Sequence, residues 1–117
     1  MKTLILDTDF IINSIKNHID IETSIKPLFS YKLNISYLDK TIEELRNKPF
    51  ENLALSLIKK FKKIRTNKDK TVDELILEIA DKNKDTIVAT QDKLLKEKLK
   101  KRRIVVITIR QQRYITF

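Results

Sequence analysis

The chain has 117 residues, 41% of them hydrophobic, with 25 Lys and Arg against 16 Asp and Glu for a formal net charge of +9. That length suits one domain, residues 1–117, with its own core and is too short for two, and the charge favours a polyanion as partner over an acidic protein or a neutral metabolite. Cysteine and glycine are absent and histidine occurs once, which excludes a disulfide framework, a thiolate nucleophile, a Cys- or His-built metal site and the Gly-rich loops that cradle phosphates in nucleotide-binding proteins.

Residues 3–6 (TLIL) predict a short buried strand, and Phe10, Ile11, Ile12 and Ile15 predict a helix packed on a sheet, the change falling at Asp7-Thr8-Asp9. After a polar stretch with Pro27, Lys32 to Ser36 predicts a second strand and Tyr37 to Arg46 a helix striped by Leu38, Ile42 and Leu45. From Phe50 to Lys63 the apolar positions Leu53, Ala54, Leu57, Ile58, Phe61 and Ile64 recur at three and four, predicting one long helix with a lysine-rich exposed side. Thr71-Val72-Asp73-Glu74 has the form of a capping box and opens a helix ending near Asn83. Asp85 to Thr90 predicts a buried strand, Lys93 to Lys101 a basic helix with Leu94, Leu95 and Leu99 inward, Ile104 to Ile109 a strand, and Tyr114 to Phe117 a last short one. Strands alternating with helices imply right-handed crossovers and a mainly parallel central sheet with helices on both faces, an α/β/α arrangement. In such sheets the site lies beyond the carboxyl ends of the strands.

Asp7 follows the first predicted strand and Asp92 the strand Asp85 to Thr90, so both belong to one rim. Asp73 opens the helix before that strand and Glu44 lies in the helix after the second, so four carboxylates distant in sequence can converge in one crevice. Each has an ordinary explanation as a helix cap or dipole partner, or, for Glu44, as a solvated side chain. Together they would repel one another unless a cation held them. With no Cys and one His, oxygen ligands suit one or two magnesium or manganese ions, which can activate water and offset charge in phosphate chemistry.

The segments ILDTDFIIN, TIEELRN and DELILEIADKNKDTIVATQDKLLKEKLKKRRIVVITIRQQRY resemble, in that order and nearly end to end, the motifs of the PIN-domain nucleases. The last, with IVAT before an Asp, a basic helix, an apolar strand and an Arg-containing turn, is most similar to the small PIN proteins of ribosomal RNA processing in archaea and eukaryotes. The resemblance implies a three-layer PIN-like fold and a metal-dependent endoribonuclease. It places Asp7, Glu44, Asp73 and Asp92 at the family's metal-binding acidic positions, with Thr90 as the small hydroxyl two residues before the last. Asp9 stands where relatives carry Ser or Asn, adding a ligand or capping the helix, and Val72 stands where many have a second Asp. The set of four acids is intact, so activity is expected.

Among the basic residues, Arg102, Arg103, Arg110 and Arg113 are the candidates for RNA contact, since guanidinium forks suit phosphates. The lysines from Lys59 to Lys63 read as solubilising and His18 as a surface residue without a role. Tyr37 and Tyr114 read as core-packing before base-stacking. No apolar run reaches the roughly 20 residues that span a bilayer, and the start meets an acid too soon for a signal peptide, so a cytoplasmic protein without a membrane partner is expected. The expected partners are RNA, ribosomal precursor particles and a second copy of the chain as a homodimer. Two alternatives stand beside this reading: a toxin-type PIN ribonuclease, which would pair with an antitoxin, and an inactive RNA-binding or assembly module. The D-x-D of LDTD also has the form used by haloacid-dehalogenase-type phosphatases, but no glycine follows it and the chain is short for that fold.

Overall fold

A computed structural model describes residues 2–67 and 69–117. The strands are β1 (Lys2–Leu6), β2 (Leu33–Leu38), β3 (Lys62–Ile64), β4 (Ile87–Ala89), β5 (Val105–Arg110) and β6 (Tyr114–Thr116). The helices are α1 (Thr8–Lys16), α2 (Ile21–Ile25), α3 (Asp39–Leu45), α4 (Glu51–Ile58), α5 (Val72–Lys82) and α6 (Lys93–Lys101), with a 3₁₀ turn at Lys26–Leu28. The six strands form one sheet in the order β3-β2-β1-β4-β5-β6. All neighbours are parallel except β5 and β6, which make an antiparallel hairpin.

The three-layer α/β/α architecture follows from the pleat. Alternate side chains of a strand point to opposite faces, and Leu4 and Leu6 of β1 join Ile87 and Ala89 of β4 on one face, against Phe10, Ile11, Ile21, Ile25, Leu45, Ala54 and Ile58 from α1 to α4. Ile5 and Val88 point to the other face, against Val72, Leu75, Ile76 and Ala80 of α5 and Leu95 and Leu99 of α6. Strands buried on both faces lose the apolar-polar alternation and read as continuous apolar runs. Among the described residues no helix is long and apolar enough to cross a membrane.

Three expectations are corrected. β2 runs on through Tyr37 and Leu38, which the helical stripe had claimed; the two side chains bury on opposite faces of the sheet, a placement only a strand gives. The long helix expected from Phe50 to Lys63 ends at Ile58, and Lys62–Ile64 is instead the edge strand β3, paired with Ser36, Tyr37 and Leu38. The polar stretch before Pro27 contains α2, whose start is capped by Asp20 accepting from the Thr23 amide at 3.0 Å. The capping box at Thr71 forms as expected: Thr71 Oγ1 accepts from Glu74 N–H at 3.2 Å and Glu74 Oε1 from Thr71 N–H at 3.4 Å.

Candidate active site

β1 and β4 lie side by side in the sheet, so the residues that leave their carboxyl ends emerge together. The backbone ladders extend past the last strand residues: Asp7 N–H donates to the Ala89 carbonyl at 2.9 Å, and Thr90 N–H to that of Ile107 at 3.1 Å. Positions 7 and 90 are thereby fixed by sheet hydrogen bonds. Asp7 is 4% exposed; its Oδ2 accepts from Thr90 Oγ1 at 2.7 Å and its Oδ1 from Thr8 N–H at 2.9 Å. The Thr90 hydroxyl also accepts from Asp92 N–H at 3.1 Å, so one buried side chain ties the first acid to the last.

Asp92 caps α6, its Oδ1 accepting from Leu95 N–H at 3.0 Å, and Asp7 caps α1 through the amide of the next residue, Thr8. The ordinary helix-cap explanation is therefore true of both. It does not use them up, because an ionised carboxylate has about four lone-pair positions.

Electrostatic coupling identifies the other acids that face this carboxyl. Burial pushes the Asp7 carboxyl from its ordinary 3.8 up to about 7; the Thr90 hydrogen bond opposes this, Asp73 adds to it, the Thr8 amide opposes and Asp9 adds. Asp73, on the first turn of α5, is also raised, first by burial and then by Asp92, Glu44 and Asp9, against the pull of Lys98. Asp7, Asp9, Glu44, Asp73 and Asp92 thus share one rim in a chain of charge +9. Glu44 is held there by Thr8, whose hydroxyl donates to its Oε1 at 2.7 Å.

The donor set is entirely carboxylate and hydroxyl oxygen, which suits a hard divalent cation. Among the described residues no three acidic side chains form a ligating cluster by themselves. Magnesium keeps several of its waters and is commonly bound through one or two carboxylates plus substrate phosphate rather than by a closed protein cage.

Three contributors to this rim, Thr8, Gln91 and Asp39, carried no sequence signal. Thr8 positions Glu44. The Gln91 amide accepts from Ile109 N–H at 2.6 Å and Thr108 Oγ1 at 2.7 Å and donates to the Ile109 carbonyl at 3.1 Å. A side chain therefore continues the β4–β5 ladder where the main chain turns away into Asp92. Asp39, at the carboxyl end of β2, accepts from the Thr66 amide at 3.1 Å and from the Thr66 hydroxyl, pinning the loop after β3. Isolated Thr, Gln and Asp residues have no pattern until their partners are in place.

The four candidate arginines separate into two places. Arg110 ends β5 at the carboxylate rim, beside Lys96, whose ammonium is lowered by burial and then by Arg110, Lys100 and Lys93. Arg113 closes the next turn, its N–H bonded to the Arg110 carbonyl at 3.0 Å. Arg102 and Arg103 lie past the other end of α6. There Arg102 Nε donates to Asp81 at 2.8 Å and its Nη1 to the Lys98 carbonyl at 3.0 Å. Tyr37 is buried and Tyr114 exposed.

A doubly covered parallel sheet with an acidic rim at the carboxyl ends of its first and fourth strands has a family counterpart. A family model described as a PIN like domain matches residues 4–112, and the chain belongs to that family. Over 125 aligned residues it is 35% identical to Ribonuclease VapC4 of Methanocaldococcus jannaschii, covering 97% of this chain and 95% of that protein. The solved structure of the PIN domain endonuclease Utp24 superimposes with a TM-score of 0.85 at 25% identity, covering 97% of this chain and 88% of the other.

Proposed function

We propose that this protein is a divalent-metal-dependent endoribonuclease of the cytoplasm that hydrolyses RNA phosphodiester bonds, with Asp7, Glu44, Asp73 and Asp92 holding one or two magnesium or manganese ions. The observation that carries the proposal is the Asp7 carboxyl, 4% exposed and fixed by Thr90 and Thr8 at the end of β1, raised by burial first and by its neighbours Asp73 and Asp9 after it; that crowding of acid costs stability, and a cation would relieve it. When bound, such an ion supplies an activated water and offsets the charge that grows on the phosphate. The chain's own residues do the rest. Thr90 fixes the Asp7 and Asp92 spacing, Thr8 aims Glu44, and Lys93, Lys96, Arg110 and Arg113 flank the rim as contacts for phosphates on either side of the scissile bond. Asp9, on the first turn of α1, adds an oxygen at the edge of the set.

The likeness of the C-terminal half to the small PIN proteins of ribosomal RNA processing supports a structured ribosomal precursor as substrate. The test is cleavage of a panel of structured RNAs with manganese, with magnesium and with chelator, for wild type and Asp7→Asn. Metal-dependent cleavage absent from the variant is the expected result; equal inertness of both proteins while RNA still binds would leave a binding module.

A second reading, a toxin-type ribonuclease countered by an antitoxin, draws on Phe50, 42% exposed, and Leu53, 60% exposed, three residues apart at the start of α4. Such surface suits a protein partner. It requires that expression of this chain alone arrest growth and that Asp7→Asn relieve the arrest.

A further inference from the structure

The opposite end of the sheet, where the parallel strands begin, has a different chemistry. A groove of about 440 Å³ opens there between the 3₁₀ turn and the start of β2, floored by Ile25, Leu33 and Ile35 and walled by Phe29 and Tyr31. The Phe29 ring is the centre of an aromatic group, its centroid 5.7 Å from that of Tyr31 and 5.4 Å, edge-on, from that of Phe117. Such tilted and edge-to-face pairs normally pack a core, yet here the outer rings stand in water, Tyr31 44% and Phe117 54% exposed. Lys2 Nζ lies 4.9 Å from the Tyr31 ring centre, holding the ring from one side. Lys26 and Lys32 are exposed on the groove wall and outnumber Glu22, the one acid among the described residues that line it.

We propose that this groove binds unpaired bases of an RNA strand, as an accessory site remote from the acidic rim. The inference rests on RNA being the substrate and goes beyond it by assigning a second contact. Exposed ring faces beside cations are what a single strand needs: bases of any sequence stack on the rings, and lysines meet the phosphates between them. The size of the groove suits one or two bases. Lys2, at the start of β1, pairs with Leu33, and the strand runs from there to Leu6, so the groove is on the order of 13 Å or more from Asp7 at about 3.3 Å per residue. Only an RNA with a single-stranded extension reaches both sites, which makes the groove a selector for substrates that carry one.

The test is anisotropy of a fluorescent oligoadenylate with the full chain in chelator, where no turnover occurs. Tyr31→Leu with Phe117→Leu retains apolar volume against Phe29 and removes the ring faces; binding should weaken at least about five-fold. Lys26→Gln with Lys32→Gln should lower the slope of log affinity against log salt by roughly 1.4, and Tyr31→Trp should bind at least as tightly as wild type. Manganese-dependent cleavage of an RNA too short to leave the rim should be unchanged in all of them. Oligoadenylate binding that ignores the leucine pair overturns the proposal, whatever the protein cleaves. So does self-association in sedimentation that the leucine pair abolishes, because a second copy of the chain would then be the occupant. A protein that cleaves nothing but loses oligoadenylate binding in the leucine pair keeps the groove and removes the nuclease.

Discussion

A carboxyl group that is 4% exposed and receives hydrogen bonds from Thr90 and Thr8 is caught between two demands. Its donors favour the ionised form, while burial and the neighbouring Asp73 and Asp9 favour the neutral one, and burial dominates, with the folded value at about 7 against an ordinary 3.8. Between those values the unfolded chain releases the proton while the native chain retains it, so stability falls as pH rises across that window and no further above it. The size is on the order of a few kcal/mol. Asp7→Asn, uncharged and of the same shape, should flatten that dependence in metal-free buffer and leave the thermal midpoint above about pH 7 unchanged or raised. Urea titrations of both proteins at either end of the window would show it. A variant much less stable than wild type at the upper end would mean that the hydrogen bonds outweigh the burial, and that Asp7 is a cap before anything else. Asp7 and Asp92 were legible in the sequence because each follows an apolar run and opens a helical stripe. Thr8 and Gln91 were not, since a hydroxyl that aims Glu44 and an amide that mimics a strand backbone are recognisable only from their partners.

The elements show what a chain without glycine does at its turns. Positive φ occurs at His18, Asn47, Phe50, Arg103, Gln111 and Gln112, where a β-carbon makes the left-handed conformation cost roughly 1–2 kcal/mol. Two of these close helices in the same way. After α1, His18 N–H donates to the Ile15 carbonyl at 3.2 Å and Ile19 N–H to that of Ser14 at 2.8 Å; after α6, Arg103 N–H donates to Lys100 at 2.9 Å and Ile104 N–H to Leu99 at 3.0 Å. Both are Schellman closures with the usual glycine position filled by a long side chain. The lone histidine is thus a helix terminator. His18→Gly and Arg103→Gly should each stabilise the fold by about 0.5–1 kcal/mol, the conformational relief being partly offset by the freer unfolded chain. His18→Ala and Arg103→Ala retain the β-carbon and should gain nothing; denaturant midpoints of the four variants decide it, and equal gains from alanine would remove backbone strain as the cause. The same missing punctuation explains the misplaced boundaries. Lys59, Lys60 and Phe61 turn the chain after α4 without glycine or proline, so Phe61 and Ile64 fitted a helical stripe that had already ended, and β3 stayed hidden behind it.

Across the whole molecule the charges are sorted rather than spread. The acids gather at the carboxyl ends of β1 and β4, while Arg110, Lys96, Lys93 and Lys100 form a repelling positive group alongside. A substrate phosphate beside such a group gains by relieving that repulsion, and each contact releases counterions, so affinity must fall with salt in proportion to the number of phosphates met. Arg110→Gln with Arg113→Gln should therefore weaken RNA binding and lower the salt slope by about 1.4 for a single strand or about 1.8 for a duplex. Arg102 supplies the control. Its guanidinium joins α6 to Asp81 of α5 at 2.8 Å, with side chains 34% and 50% exposed, a surface pair worth about 0–1 kcal/mol. Arg102→Gln changes net charge by the same sign, yet lies at the end of α6 away from Asp92, so RNA bound at the acidic rim should retain nearly all of its slope. If the two substitutions lower the slope equally per charge removed, binding follows the overall charge of the chain and the rim has no privileged contacts. If only the Arg110 and Arg113 pair lowers it, the phosphates run past Lys96 toward Asp92, along the path that a cleaved strand would have to take.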